Sequence, residues 1–290
     1  IDLYYRCPVC ELVFLKRKLM NDNLYLLYGN ESYITAESEV EADKFIKEKA
    51  YKNHSHFEHF NYVSNYLNPS DNYRILDIGC GRCDFIHWSL DNIIDSKAIG
   101  IDFRVNQYIK SSLEKSYPSR TELYQGDLIT QTLKVLSQNK DINIITMWEV
   151  IEHLPLENLR SLFQDIRKMI GSKTNIFLST PNFDSPASLS MEFWSMVPME
   201  HLYVFSINFL SHFFKSLGFD VTLIGTESVT YKNKGWVDHT INIGSSSISE
   251  LGYAQIIGLL MEEQQLNSSL RKVIRTNNAG SEMILKLTPA

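Results

Sequence analysis

Arg74-Ile75-Leu76-Asp77-Ile78-Gly79-Cys80-Gly81-Arg82-Cys83-Asp84 is the stretch on which the fold turns. Arg74 to Ile78 reads as a buried parallel strand, apolar apart from one acid. Gly79 and Gly81 lack a Cβ, so the backbone can turn sharply there and approach a ligand closely. Cys83 to Leu90 reads as the following helix. Strand, glycine turn and helix N-terminus together form a cradle of the nucleotide-binding type. The pattern is D-x-G-x-G. The third glycine of the dinucleotide fingerprint is missing, and Cys83-Asp84 stands near its place, which argues against NAD. A purely structural strand-to-helix turn is the competing reading of these residues.

Outward from this turn, strand and helix alternate as a doubly wound α/β sheet requires. Strands are expected at 98–102, 122–125, 142–147, 175–179, 219–224 and 281–287, and amphipathic helices at 156–170 and 206–217. Ser206 is the expected N-cap of the second of these helices. Pro181 to Phe205 reads as a lid of loop or short helices over the strand ends, and Ile248 to Ile274 as mainly helical.

Acids close three successive strands. Asp102 follows Asp77 by 25 positions, and Asp127 follows Asp102 by the same interval. A carboxylate beyond the second strand can accept from both hydroxyls of a ribose, and one beyond the third from an adenine amine. Each acid alone could equally be a helix N-cap.

After the fourth strand come Glu149-Val150-Ile151-Glu152-His153, and His201 lies later in the lid. Residues at i, i+3 and i+4 share one helical turn, so Glu149, Glu152 and His153 are expected on one face. Two carboxylates and an imidazole suit either a divalent ion or general-base work. Three further histidines, His54, His56 and His59, occupy an aromatic stretch that reads as a solvated or partly buried lid helix, and His87 reads as packing.

The series I-L-D-I-G-C-G, I-G-I-D-F, Y-Q-G-D-L, I-T-M-W-E-V-I-E-H-L and L-S-T-P-N resembles, in order, the motif set of class I S-adenosylmethionine-dependent methyltransferases. The resemblance covers roughly residues 74–223. It implies a mostly parallel, Rossmann-like sheet of seven strands with helical additions at both ends. It implies that Asp77, Gly79, Cys80 and Gly81 line the methionine part of the cofactor. Asp102 would take the ribose, with Phe103 beside the adenine. Asp127 and Leu128 would hold the adenine, and Trp148 would flank the cofactor. His153, Glu152 and His201 are the expected catalytic residues. Glu149, Glu152, His153 and His201 resemble the magnesium-binding quartet of small-RNA 2′-O-methyltransferases, which implies Mg or Mn.

The residues from Tyr4 to Phe14, with Cys7 and Cys10, resemble the second knuckle of a zinc ribbon carried by some bacterial sugar and natural-product methyltransferases. That pattern expects an earlier C-x-x-C, and this chain, which opens at Ile1, has none. A four-cysteine zinc site joining Cys7/Cys10 to Cys80/Cys83 is disfavoured, because the second pair lies inside the cofactor loop. Residues 1–60 are expected as ribbon remnant and lid helix. Residues 61–290 are expected as the methyltransferase domain, with the lid at 181–205 and a helical insertion at about 231–274.

The 290 residues carry 44% hydrophobic side chains, enough for a sizeable core, and a net charge of −6, which weighs against a basic nucleic-acid surface. No apolar run is long enough to span a bilayer, and reduced cysteines point to the cytoplasm. The expected activity is O-methylation of a small molecule such as a sugar, nucleotide-sugar or natural product. The competitors are a metal-dependent RNA 2′-O-methyltransferase and an inactive cofactor-binding partner protein. The expected partner is a small-molecule acceptor, with no nucleic acid or membrane and the oligomeric state left open.

Overall fold

The computed structural model describes residues 4–15, 36–54, 57–68, 71–185, 201–227 and 281–290. The chain begins with a hairpin of β1 (Tyr4–Arg6) and β2 (Val13–Leu15). Next come α1 (Glu39–Lys47), a 3-10 turn at Ala50–Asn53 and α2 (Phe57–Ser64). Strand and helix then alternate through β3 (Arg74–Ile78), α3 (Asp84–Asn92), β4 (Lys97–Asp102), α4 (Gln107–Ser116) and β5 (Thr121–Gln125). The alternation continues with α5 (Leu128–Gln138), β6 (Ile144–Trp148), a 3-10 turn at Ile151–His153, α6 (Leu156–Met169) and β7 (Asn175–Pro181). The last elements are β8 (Tyr203–Val204), α7 (Ile207–Lys215), β9 (Phe219–Glu227) and β10 (Glu282–Pro289).

The main sheet has seven strands in the order β5-β4-β3-β6-β7-β10-β9. Strands β5 to β7 pair in parallel, and β10 runs antiparallel between β7 and β9. Strands β3, β4, β5 and β6 each lead into a helix, and neighbouring residues of β3 feed opposite faces. Leu76 joins a core with Leu159, Phe163 and Phe214 from α6 and α7. Ile75 joins another with Ile86, Leu113, Tyr51 and Phe60. Both faces are covered, so β3, β6 and β7 read as apolar runs rather than alternating ones. Each fully buried Leu, Ile or Phe contributes about 1.5–3 kcal/mol.

Local signals set the helix starts. Asn106 accepts from the Tyr108 and Ile109 amides, Asp127 from Thr130 and Ser206 from Phe209, so each begins its helix with an orphan amide satisfied. Strand order reverses between β3 and β6, and in open α/β sheets ligands occupy the crevice at that point, beyond the carboxyl ends.

The expected helix from Cys83 begins one residue later, because Cys83 takes a left-handed conformation and serves as N-cap. The fifth and sixth expected strands run longer, to Pro181 and Glu227, since β10 pairs with both. The expected lid is described only at its two stems. Its middle, at 186–200, and the expected insertion at 231–274 lie outside the described residues. No described helix is long and apolar enough to cross a membrane.

Candidate active site

The glycine turn is anchored to the next strand. The Gly79 and Cys80 amides both donate to the Ile101 carbonyl, at 2.8 and 3.0 Å. Gly79 has φ +76 and lies so close to Val150 that a Cβ would fall 2.5 Å from its Cγ2. Gly81, at φ +50, has open space around its missing Cβ and forms the exposed crest. Asp102, at the end of β4, accepts from the Gly81 amide at 2.8 Å and from the Arg104 amide at 3.1 Å. Burial raises its pKa, and these amides oppose the rise. The two amides use part of the acceptor capacity of the carboxylate, which has room for hydroxyl partners as well.

Asp77 is buried and bonds inward, accepting from the Thr146 hydroxyl at 2.6 Å across the central pair β3–β6. Burial pushes its pKa up to about 7, with the charges of Asp102 and Asp84 adding to the rise. Asp127 follows the left-handed Gly126, and one of its oxygens caps α5. The N-cap reading therefore holds for Asp127, and Leu128 is the first residue of the helix that it caps. Phe103 is half-buried directly after Asp102.

Trp148 ends β6 and its ring packs 5.2 Å from Phe85, 5.7 Å from Phe60 and 6.2 Å from His59. It thus belongs to the apolar layer that α2 and α3 lay over the strand ends.

Glu149, Glu152 and His153 do not share an α-helical turn, which corrects the spacing argument. Glu149 has φ +52 and the chain then forms a short 3-10 turn. A non-glycine residue held there costs on the order of 1 kcal/mol, and such strain clusters at functional sites. Glu152, His153 and His201 each offer a ligand-type atom within 4.8 Å of the others, and Glu149 falls outside this set. The His153 and His201 rings lie 4.8 Å apart in edge-to-face contact, and His153 Nε2 is 3.8 Å from Glu152 Oε1. The other Glu152 oxygen accepts from Thr180 at 3.0 Å. Its Oε1 is buried, and Glu152 also shares a side-chain hydrogen bond with Glu149. Burial raises Glu152 to about 7. Burial first, then the Glu282 and Glu152 charges, hold Glu149 well above the usual carboxylate range.

Glu282, at the start of β10, is the participant that the sequence reading missed. It is fully buried, with His59 Nε2 3.0 Å from its Oε2. An acid directly before the apolar run Met283-Ile284-Leu285 was the available signal. His59 is likewise fully buried, on the inner face of a helix that is partly buried as expected. The remaining histidines do not form a cluster among the described residues. His54 lies 3.7 Å from Asp84, His87 is buried against Tyr51 and Asp91, and His56 lies outside the described residues.

His201 is placed by the N-terminal hairpin. Tyr4 donates to the His201 carbonyl at 2.8 Å, and β2 pairs with β8 just beyond it. The Leu202 amide donates to the Glu152 carbonyl at 2.9 Å. Arg6 stacks over Phe183, in the other stem of the lid. Cys7 and Cys10, in the hairpin turn, are free thiols.

A doubly wound sheet with β10 inserted antiparallel, a glycine turn gripped by an acid on the next strand and a polar cluster beyond β6 define the class I methyltransferase fold. The chain matches the sequence profile of a methyltransferase domain family over residues 41–224, more than half its length; it belongs to that family and is a methyltransferase. No curated protein sequence matches it significantly. Among solved structures it is similar to a SAM-dependent methyltransferase of Archaeoglobus fulgidus, with 18% identity and a TM-score of 0.50 over 84% of this chain and 99% of that one. It is also similar to a Haemonchus contortus phosphoethanolamine N-methyltransferase in complex with S-adenosylmethionine, with 13% identity and a TM-score of 0.50. That match takes in 80% of this chain and about half, 52%, of the worm enzyme. A third is a Burkholderia thailandensis 1,6-didemethyltoxoflavin-N1-methyltransferase, with 10% identity and a TM-score of 0.50 over 76% and 89%. At these identities the likeness is one of fold.

Proposed function

We propose that this methyltransferase takes its methyl group from S-adenosylmethionine and places it on an oxygen of a small molecule such as a sugar, nucleotide-sugar or natural product. The convergence of Glu152, His153 and His201 beyond β6 carries the acceptor side of this reading. The gripped glycine turn supports the cofactor side, as do the Haemonchus and Burkholderia structures of the same fold, which hold S-adenosylmethionine and S-adenosylhomocysteine.

When bound, the cofactor supplies an activated sulfonium methyl. Asp77, Gly79, Cys80 and Gly81 frame its amino-acid end. Asp102 would accept from the ribose hydroxyls, Phe103, Asp127 and Leu128 would hold the adenine, and Trp148 would wall the crevice. His153 would take the proton from the acceptor hydroxyl as the methyl–sulfur bond breaks, the methyl passing to the oxygen and the bond's electron pair to sulfur to leave S-adenosylhomocysteine. Glu152 orients the imidazole from 3.8 Å, and His201 faces it from the lid stem. Because the sulfonium is already reactive, alignment and this proton transfer are what the protein adds. The test is methyl transfer from labelled cofactor to a panel of hydroxylated small molecules. Transfer to hydroxyls that disappears in His153→Ala supports the proposal. Exclusive transfer to nitrogen or carbon overturns it.

One observation favours a second reading. Two imidazoles and a carboxylate, with ligand-type atoms within 4.8 Å of one another, would suit a divalent ion, Mn more readily than Mg because imidazole is a poor ligand for so hard a cation. Such an ion would acidify a bound hydroxyl, as in RNA 2′-O-methylation. The net charge of −6 weighs against an RNA acceptor. Chelator-sensitive transfer to RNA ribose would select this reading. Cofactor binding without any turnover would select an inactive partner protein.

A further inference from the structure

Both cysteines of the glycine turn are buried, at 7% and 2% exposure, and their sulfurs lie 3.9 Å apart. The Cys83 amide donates to the Cys80 carbonyl at 2.7 Å, closing a tight turn over Gly81 and Arg82. A β-turn brings its end α-carbons within about 7 Å, which overlaps the span that a disulfide bridges. Cys80 Sγ rests in a notch above Gly100, where a Cβ would stand 2.9 Å from the sulfur. Nothing in the methyl-transfer chemistry above uses two thiols.

We infer that Cys80 and Cys83 are an oxidisable dithiol, and that their disulfide weakens cofactor binding. The second half rests on the cofactor reading of this turn. Attack by one sulfur on a small-molecule disulfide such as oxidised glutathione forms a mixed disulfide and expels one thiolate. The second sulfur then displaces the other. Two protein thiols and one small disulfide become one protein disulfide and two small thiols, with the two protons passing to the leaving thiolates. The adjacent Cys83 sulfur, and then burial, hold the Cys80 thiol well above its ordinary pKa, so oxidation is slow without sustained oxidant.

The sulfurs must close to about 2.05 Å. The Cys80 amide is tied to Ile101 and the Cys83 carbonyl to the first turn of α3, through the His87 amide. The displacement therefore falls on Gly81 and Arg82 between them. Gly81 carries the amide that Asp102 holds, so the bond pulls on the grip that shapes the crevice.

The test uses Cys7→Ser/Cys10→Ser protein, which lacks the other thiol pair. After treatment with oxidised glutathione, peptide mapping without reductant should show Cys80 joined to Cys83, with two hydrogens lost. S-adenosylhomocysteine affinity by calorimetry should fall roughly tenfold, within the usual range for coupled equilibria, and return on reduction. Adding Cys83→Ser should leave the affinity the same in oxidant and in reductant. The dithiol is overturned if the mapped cysteines remain free or pair only with glutathione. The coupling is overturned if the bond forms and affinity is unchanged. If the reduced protein binds no S-adenosylhomocysteine, the cofactor reading fails and takes the coupling with it, while the map still decides the dithiol.

Discussion

The Asp102 carboxylate holds the Gly81 amide at 2.8 Å, so the acid expected to meet a ribose also fixes the turn beside it. A charge-assisted bond of this kind contributes about 1.5–3 kcal/mol. Asp102→Ala should cost both functions, weakening S-adenosylhomocysteine binding by roughly 100-fold in calorimetry. Hydrogen exchange at the Gly81 amide should accelerate in the same variant. Asp102→Asn, which keeps one acceptor oxygen, should lose less. Wild-type affinity in Asp102→Ala would remove the ribose assignment.

Gly79→Ala should destabilise the fold. The new Cβ would stand 2.5 Å from Val150 Cγ2, and φ +76 is strained for any residue with a side chain. The combined loss should be about 2–4 kcal/mol, read as a lower midpoint in urea. Val150→Ala in the same chain should recover the steric part and leave the backbone part, about 1 kcal/mol. Equal loss in the single and double variants would mean that the contact carries no strain.

His153→Ala should lower kcat by about 10²- to 10⁴-fold with cofactor affinity nearly unchanged. Glu152→Gln, which keeps the Thr180 bond but not the charge, should fall between the wild type and that variant. A proportionate loss of cofactor affinity in His153→Ala would place the imidazole in cofactor binding instead of proton transfer.

Asp77 gives the cofactor-free protein a pH-dependent stability. Its folded pKa, about 7, lies above its ordinary value of 3.8. Between these values the folded chain keeps a proton that the unfolded chain releases. The contribution is therefore fully present below the ordinary value and is lost as pH rises through 7. Asp77→Asn should flatten the fall in stability across this window by up to about 4 kcal/mol. Glu152, raised to about 7 in the same direction, contributes a second, separable slope. Thermal unfolding of both variants against pH checks the sign. A wild type that grows more stable from pH 5 to pH 8 because of Asp77 would contradict it.

The sheet was legible because β3, β6 and β7 are covered on both faces, and β3 and β6 run into a glycine and an acid. Helix starts were legible where a side chain caps them, as Ser206 does. Three members of the cluster beyond β6, Glu152, His153 and His201, were legible in the sequence, but their geometry was not. Spacing suggested a helix for Glu149 to His153, yet the left-handed Glu149 and the 3-10 turn rearrange them. The role of Glu282 depends on β10 entering between β7 and β9, a pairing of residues distant in sequence that no local pattern encodes. His59 read as part of a solvated or partly buried helix, and its own full burial against Glu282 depends on a tertiary partner distant in sequence.

The three-stranded sheet of β1, β2 and β8 carries a practical lesson for anyone trimming this chain. A fragment starting at residue 41, where the family profile begins, would strip β8 of its hydrogen-bonded neighbour β2. It would also take away the phenol that steadies the His201 carbonyl. An uncovered strand edge invites pairing with other molecules. Such a fragment should therefore self-associate and misplace its histidine, even though every profile-matching residue is retained.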